Sequence, residues 1–309
     1  MNIPDQSPRI IFLGTPDFAV ASLRALVENH FNVVAVVTAP DKPAGRGMQM
    51  KASDVKTYAL SQNLPVLQPE RLKSPDFMEM LRSYQADLQV VVAFRMLPEA
   101  VWNMPPLGTI NVHASLLPQY RGAAPVNRAV MNGETETGVT TFRLQHAIDT
   151  GNILLQQKVA ILPEDNAGSL YMKLMHTGAE LLITTITGII DGTIREQPQP
   201  QGGEWKHASK IFREDARIDW NRPVKELHNL VRGLSPYPAA FTTISGKQLK
   251  IYHSAFEEAP VNLQLGEYET DGKTYLRFAA ADGWLYCLTL QYEGKKKMSV
   301  ADFLRGFRF

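Results

Sequence analysis

The sequence predicts an α/β fold: a doubly wound, mostly parallel sheet followed by a second, smaller antiparallel β-barrel. Three observations lead there. Short β-branched and apolar runs alternate with segments of helical spacing as far as residue 190, the pattern of a parallel sheet covered on both faces. A Pro-, Gln- and Gly-rich stretch then interrupts the chain, and short alternating strands follow it. With 309 residues there is enough chain for two domains.

Residues 9–13 (RIIFL) form an apolar strand, Gly14-Thr15-Pro16 turns the chain, and residues 18–28 have helical spacing. The turn lacks the G-x-G-x-x-G pattern, so the sequence gives little support for a dinucleotide cofactor. Residues 33–38 (VVAVVT) read as a strand buried on both faces. A helix over 53–62, a short strand at 65–67 and a helix opened by Ser74-Pro75 come next, the last with cap and first-turn residues in the preferred order. Residues 88–93 (LQVVVA) supply another buried strand. Such βα units build a Rossmann-like sheet, whose ligands bind beyond the C-terminal strand ends.

The stretch 108–125 (GTINVHASLLPQYRGAAP) begins as a strand. Side chains alternate along a strand, so Ile110 and Val112 point one way while Asn111 and His113 point the other. Pro118, Gly122 and Pro125 then end the strand and start a new element. Two further strands, 136–144 and 153–161, flank the turn Ile148-Asp149-Thr150-Gly151. Residues 166–190 are a long apolar helix, and 191–206 (DGTIREQPQPQGGEWK) read as a linker that supports neither helix nor sheet. This places one domain at 1–190 and the other at 207–309. The second opens with an amphipathic helix over 223–232 and the rigid turn Pro236-Tyr237-Pro238. Strands at 241–244, 250–255, 275–279 and 284–291 make the barrel. Residues 39–51 (APDKPAGRGMQMK) read as a solvated loop, too polar and too broken by Pro and Gly to pack.

Composition is that of an ordinary globular protein, 44% hydrophobic and 20% charged. No apolar run is long enough for a membrane span and the N-terminus has no apolar signal region, so a cytoplasmic protein is expected. The single Cys287 excludes an intrachain disulfide and fits a reducing compartment; it reads as core. The seven His have no metal-ligand spacing, and no metal is expected. Net charge is +1, but residues 206–309 carry 16 Lys and Arg against 12 Asp and Glu. A basic C-terminal part points to a polyanionic partner.

Asn111, His113 and Asp149 are an amide, an imidazole and a carboxylate at strand-to-loop junctions, parts suited to acyl-group chemistry. Asp-Thr-Gly is also simply a good turn sequence, and Arg121 could either position a substrate or pair with a local carboxylate. The ordered signature Ser115-Leu116-Leu117-Pro118, Tyr120-Arg121-Gly122-Ala123-Ala124-Pro125 and Asp149-Thr150-Gly151 resembles the 10-formyltetrahydrofolate-dependent formyltransferases, nearly end to end.

That resemblance implies a formyl donor, 10-formyltetrahydrofolate, and an acceptor, the amino group of an initiator methionyl-tRNA. It implies catalytic roles for Asn111, His113 and Asp149: the amide and imidazole donate to the oxyanion, and the carboxylate supports the imidazole and relays the amine's proton. The folate site is expected along Ser115, Leu116, Leu117 and Pro118, bordered by Phe94, Met96 and Leu97. Lys42, Arg46 and Lys51 match a family loop that enters the tRNA acceptor stem, and the C-terminal barrel is expected to be an OB-like domain that helps hold the tRNA. A monomer is expected. Two stretches depart from the family pattern: Phe94-Arg95 replaces a common Tyr-Gly pair, and His146-Ala147 stands where a glycine usually precedes the Asp-Thr-Gly. Formyltransferases acting on glycinamide ribonucleotide or sugar nucleotides, formylfolate hydrolase modules and a non-catalytic RNA-binding protein share the core and are the alternatives. The first of these usually lacks residues like 206–309, and the next two lack the 40–51 loop in this form.

Overall fold

The computed structural model describes residues 7–44 and 48–307. In chain order the elements begin with β1 (Ile10–Gly14), α1 (Asp17–Glu28), β2 (Val33–Val37), β3 (Lys42–Ala44), β4 (Gln49–Lys51), α2 (Asp54–Ser61), β5 (Val66–Leu67) and α3 (Pro75–Ser83). They continue with β6 (Leu88–Val92), α4 (Glu99–Trp102), β7 (Thr109–His113), β8 (Arg121–Gly122), α5 (Pro125–Met131), β9 (Glu136–Arg143), β10 (Ile153–Ala160) and α6 (Ala167–Ile190). The last group is β11 (His207–Ala208), α7 (Val224–Leu234), β12 (Ala240–Ile244), β13 (Lys247–Glu258), β14 (Tyr268–Thr270), β15 (Leu276–Ala279), β16 (Gly283–Tyr292), β17 (Met298–Ser299) and α8 (Val300–Gly306). The described residues fall into two compact units, one within 7–121, 138–159 and 172–206, the other within 122–137, 160–171 and 207–307.

The first unit is built on a seven-stranded sheet in the order β10-β9-β7-β6-β1-β2-β5. β7, β6, β1, β2 and β5 are mutually parallel, and β9 joins β7 antiparallel. Period-two alternation sorts the side chains into two cores. Ile11, Leu13, Ala35, Val37 and Val91 share one cluster with Phe77, Met78 and Leu81 of α3 and Val101 of α4. On the opposite phase, Ile10, Phe12, Val36, Val90, Val92, Ile110 and Val112 are buried as well. α6 lies close there: a Cβ on Gly178 would stand 3.1 Å from Val112 and 3.4 Å from Val139. Caps fix helix starts. The Ser53 hydroxyl accepts from the Lys56 amide at 3.0 Å, and Pro75 occupies the first turn of α3.

One stretch of this unit differs from expectation. Residues 42–44 and 49–51, read as loop, pair as an antiparallel ladder with Lys42 opposite Lys51. A ladder needs only backbone hydrogen bonds, so a run with no buried side chain can still form one. Arg46 lies outside the described residues. Residues 191–206 carry no helix and, apart from a bridge between Ile153 and Gln197, no sheet, yet the segment is bonded along its length to the first unit.

The second unit holds an antiparallel sheet in the order β12-β13-β16-β15-β14, with β17 on β16. It is a curled half-barrel. The register shifts around His253 bend β13 so that it can follow that curl. Val224, Leu227, Leu230, Val231 and Leu234 recur at helical spacing on α7 and close the core against Ile251, Phe278, Leu285 and Leu290. Cys287 is buried in this core, as expected of it, and burial pushes its thiol up.

Candidate active site

β7 ends at the C-terminal edge of the parallel strands, with β6 on one side and β9 on the other. Its alternation buries Ile110 and Val112 and presents Asn111 and His113 together on the opposite face. The Asn111 side chain is half-buried and makes no side-chain hydrogen bond among the described residues. His113 is buried, its ring edge-on to Phe142 at 6.4 Å. Nε2 lies 2.9 Å from the Tyr120 carbonyl oxygen, which can only accept, so Nε2 carries the proton and donates. Nδ1 faces Oδ2 of Asp149 across 3.9 Å, too far for a direct hydrogen bond.

Asp149 belongs to the turn between β9 and β10 and reaches the site in a left-handed conformation, at φ 54°. The turn is tight. A Cβ on Gly151 would stand 1.6 Å from the Arg143 carbonyl oxygen, so only glycine fits. The Arg143 guanidinium in turn donates to Glu196 at 2.9 Å, and Asn152 donates to the same carboxylate at 3.1 Å. Burial pushes the Glu196 carboxyl up, but these bonds outweigh it and hold it below its ordinary value.

The structure thus brings Asn111, His113 and Asp149 into one site. The other expected residues are spread more widely. The buried Ser115 hydroxyl donates to the Gln119 carbonyl at 2.6 Å and the Ser115 carbonyl accepts from Thr140 at 2.7 Å, so Ser115 shapes the loop from within. Leu117 is buried with Phe142 and Ile153, Pro118 is also buried, and Leu116 is half-buried. Leu97 belongs to the sheet core, Phe94 is half-buried beside it, and Met96 is 73% exposed. Lys42 and Lys51 are exposed on the hairpin. In the second unit, Lys210, Arg213 and Lys250 line one cleft with Phe212, Tyr237 and Phe241.

Three features escaped the sequence reading: the Tyr120 carbonyl that fixes His113, Thr140 beneath the loop, and Gln199. Among the described residues Arg121 pairs with no carboxylate; its Nε and Nη2 both donate to Oε1 of Gln199, the former at 3.1 Å. The Thr140 and Gln199 bonds join segments 25 to 78 residues apart, and the Tyr120 carbonyl is backbone, which no side-chain pattern marks. Among the described residues no group of three or more His, Cys, Asp or Glu is arranged to hold a metal ion.

An open α/β sheet that gathers an amide, an imidazole and a carboxylate at its C-terminal edge has the parts for acyl-group chemistry run by hydrogen bonding and proton movement. The comparisons narrow the class. Residues 8–186 match the formyl transferase family and residues 210–308 match the formyl transferase C-terminal domain, so the chain belongs to the formyl transferase family. It is 54% identical over 310 residues to a methionyl-tRNA formyltransferase of Parabacteroides distasonis, covering 97% of this chain and 96% of the relative. It is 52% identical over 307 residues to that of Bacteroides fragilis, covering 97% and 95%. Among solved structures, the N-formyltransferase of Helicobacter canadensis aligns with TM-score 0.66 at 22% identity, over 94% of this chain and all of that one, a likeness of fold.

Proposed function

We infer that this chain transfers the formyl group of 10-formyltetrahydrofolate to the amino group of initiator methionyl-tRNA. Full-length identity of 52–54% to methionyl-tRNA formyltransferases carries the substrate assignment. The donor set fits such a co-substrate: a half-buried Asn111 amide without a side-chain partner stands beside a histidine with one ring nitrogen uncommitted. The co-substrate supplies an activated formyl carbon; the remaining work belongs to the chain.

Asn111 donates to the formyl oxygen as negative charge develops there, a contribution typically worth ~3 kcal/mol for one well-placed donor. Because Nε2–H is held by Tyr120, the neutral His113 ring keeps its lone pair on Nδ1 and accepts the proton of the incoming amine there, directly or through one water. The charged ring, whose charge Asp149 balances across the 3.9 Å gap, then gives that proton from Nδ1 to the folate nitrogen as its bond to the formyl carbon breaks and the formyl C=O reforms. Leu116 at the loop surface and Phe94 and Met96 at the β6 edge border the folate, while Ser115, Leu117, Pro118 and Leu97 hold those walls from behind.

The tRNA is bound by cations. Lys42 and Lys51 on the β3–β4 hairpin, with Arg46, contact phosphates, and the cleft of Lys210, Arg213 and Lys250 with its exposed aromatic residues suits an RNA strand. Residues 1–190 serve as the catalytic domain and 207–309 as the tRNA-binding domain, with 191–206 joining them; the family matches at 8–186 and 210–308 support that division. The protein acts as a monomer in the cytoplasm, in keeping with its translation substrate. No described helix is long and apolar enough to cross a membrane.

The test is formyl transfer to charged initiator tRNA with free methionine as control. Product on the tRNA alone, falling ~100-fold or more for Asn111→Ala, is expected. Equal formylation of free methionine overturns the substrate assignment.

A further inference from the structure

The segment 191–206 reads as a tether, and it lies between the two matched regions of the chain. Within it Gln199 is only 7% exposed, while residues 195–198 and 200–204 are all exposed. A single buried amide in an otherwise solvated run calls for a reason, because burying it without partners is costly. Its partners are specific. Nε2 donates to the carbonyl of Asp149 at 2.9 Å and to that of Gly151 at 2.8 Å, and Oε1 accepts from Arg121.

We propose that Gln199 is a positioning residue for the Asp149 turn, and that Arg121 sets its amide the right way round. This rests on the role of Asp149 given above. A guanidinium has donors only and a carbonyl is an acceptor only. Turning the Gln199 amide over would set its NH2 against the Arg121 donors and its oxygen against two carbonyls, so Arg121 selects the orientation that grips the turn. The grip falls on both sides of Thr150 and holds a left-handed residue whose side chain must face Nδ1 of His113.

The other end of the same segment serves the other partner. The Lys206 carbonyl accepts from the Tyr120 amide at 2.6 Å, and the Lys206 amide donates to Oε1 of Gln119 at 2.9 Å. Tyr120 is the residue whose carbonyl holds Nε2 of His113. Residues 199–206 therefore brace the histidine and the carboxylate from outside both strands.

The experiment is a kinetic double-mutant cycle between Gln199→Met and Asp149→Asn, on the full-length enzyme with both substrates saturating. Met fills the space and removes every hydrogen bond. Expected is a loss of at least tenfold in kcat, both KM values within threefold of the parent, and less than a twofold further loss when Gln199→Met is added to Asp149→Asn. Gln199→Glu is the companion variant: it keeps the acceptor for Arg121, loses both donors to the turn, and should show the same pattern if Gln199→Met does not fold. A kcat within twofold of the parent in the folded single variant overturns the proposal. So does an undiminished loss in the Asp149→Asn background, which would mean that Gln199 acts elsewhere. Near-parental activity of Asp149→Asn alone is a different failure: it removes Asp149 from the chemistry, and the positioning role falls with it.

Discussion

His113 has two ring nitrogens, and the chain uses them differently. One is spent on a backbone carbonyl that cannot give a proton, and this leaves the other free to receive one where the Asp149 carboxylate can answer the resulting charge. Replacing Asp149 by Asn tests that division of labour. Asn keeps the size of the side chain and can adopt the left-handed turn, but it cannot balance an imidazolium. Asp149→Asn should fold with an unchanged unfolding midpoint, bind folate and tRNA nearly as the parent does, and lose ~100-fold or more in single-turnover formyl transfer, about 3 kcal/mol of barrier. Activity within threefold would return Asp149 to a purely structural part in its turn. Asn111 and His113 were legible in the sequence because strand alternation is a local rule: once β7 is recognised, their shared face follows. Gln199 was not legible. Its bonds reach 78 residues back to Arg121 and 50 to Asp149, and no periodicity within its own segment reports them.

The β3–β4 hairpin shows how an element can be missed for an opposite reason. Lys42, Pro43 and all of β4 are exposed, so the hydrophobic pattern that marks β1, β2 and β6 is missing, and backbone pairing defines it. Lys42 and Lys51 stand opposite each other, and like charges across a ladder repel. That arrangement is relieved when phosphates approach. The double variant Lys42→Ala, Lys51→Ala should therefore leave the unfolding midpoint unchanged or raise it slightly. It should weaken tRNA binding and flatten the dependence of log affinity on log salt by roughly one to two, on the order of one for each phosphate no longer neutralised. An unchanged salt slope would place these lysines off the RNA. The long, buried elements met no such difficulty: the strands at 9–13, 33–38 and 88–93 were expected within a residue or two of β1, β2 and β6, because burial on both faces leaves an unbroken apolar run. β14 and β17, of three and two residues, were too short to leave a pattern of their own.

For the molecule as a whole, stability should depend on pH through His228, in the core-facing helix of the second unit. Burial, with the nearby Arg232 charge, lowers its pKa from 6.5 to about 4, and its Nδ1 lies 2.9 Å from the Ser254 hydroxyl. The folded form keeps the ring neutral, whereas the unfolded chain protonates it below 6.5. The unfolded state thus binds more protons between pH 6.5 and 4, and stability must fall as pH falls through that window. The ring is partly solvated, so the loss is expected at about 1–2 kcal/mol rather than the full value of the shift. Denaturant melts at pH 7 and pH 4.5 should show a smaller difference for His228→Gln than for the parent, and an equal difference would assign the acid sensitivity to other groups. Pairing in the central sheet carries a consequence of another kind. β7 is locked between β6 and β9, and a slip of one residue would carry Ile110 and Val112 to the face of the site and turn Asn111 and His113 into the apolar packing against α6. A chain misaligned by a single step therefore loses its core and its chemistry together, so turnover in this family member is in itself a proofreader's mark that the sheet was assembled in register.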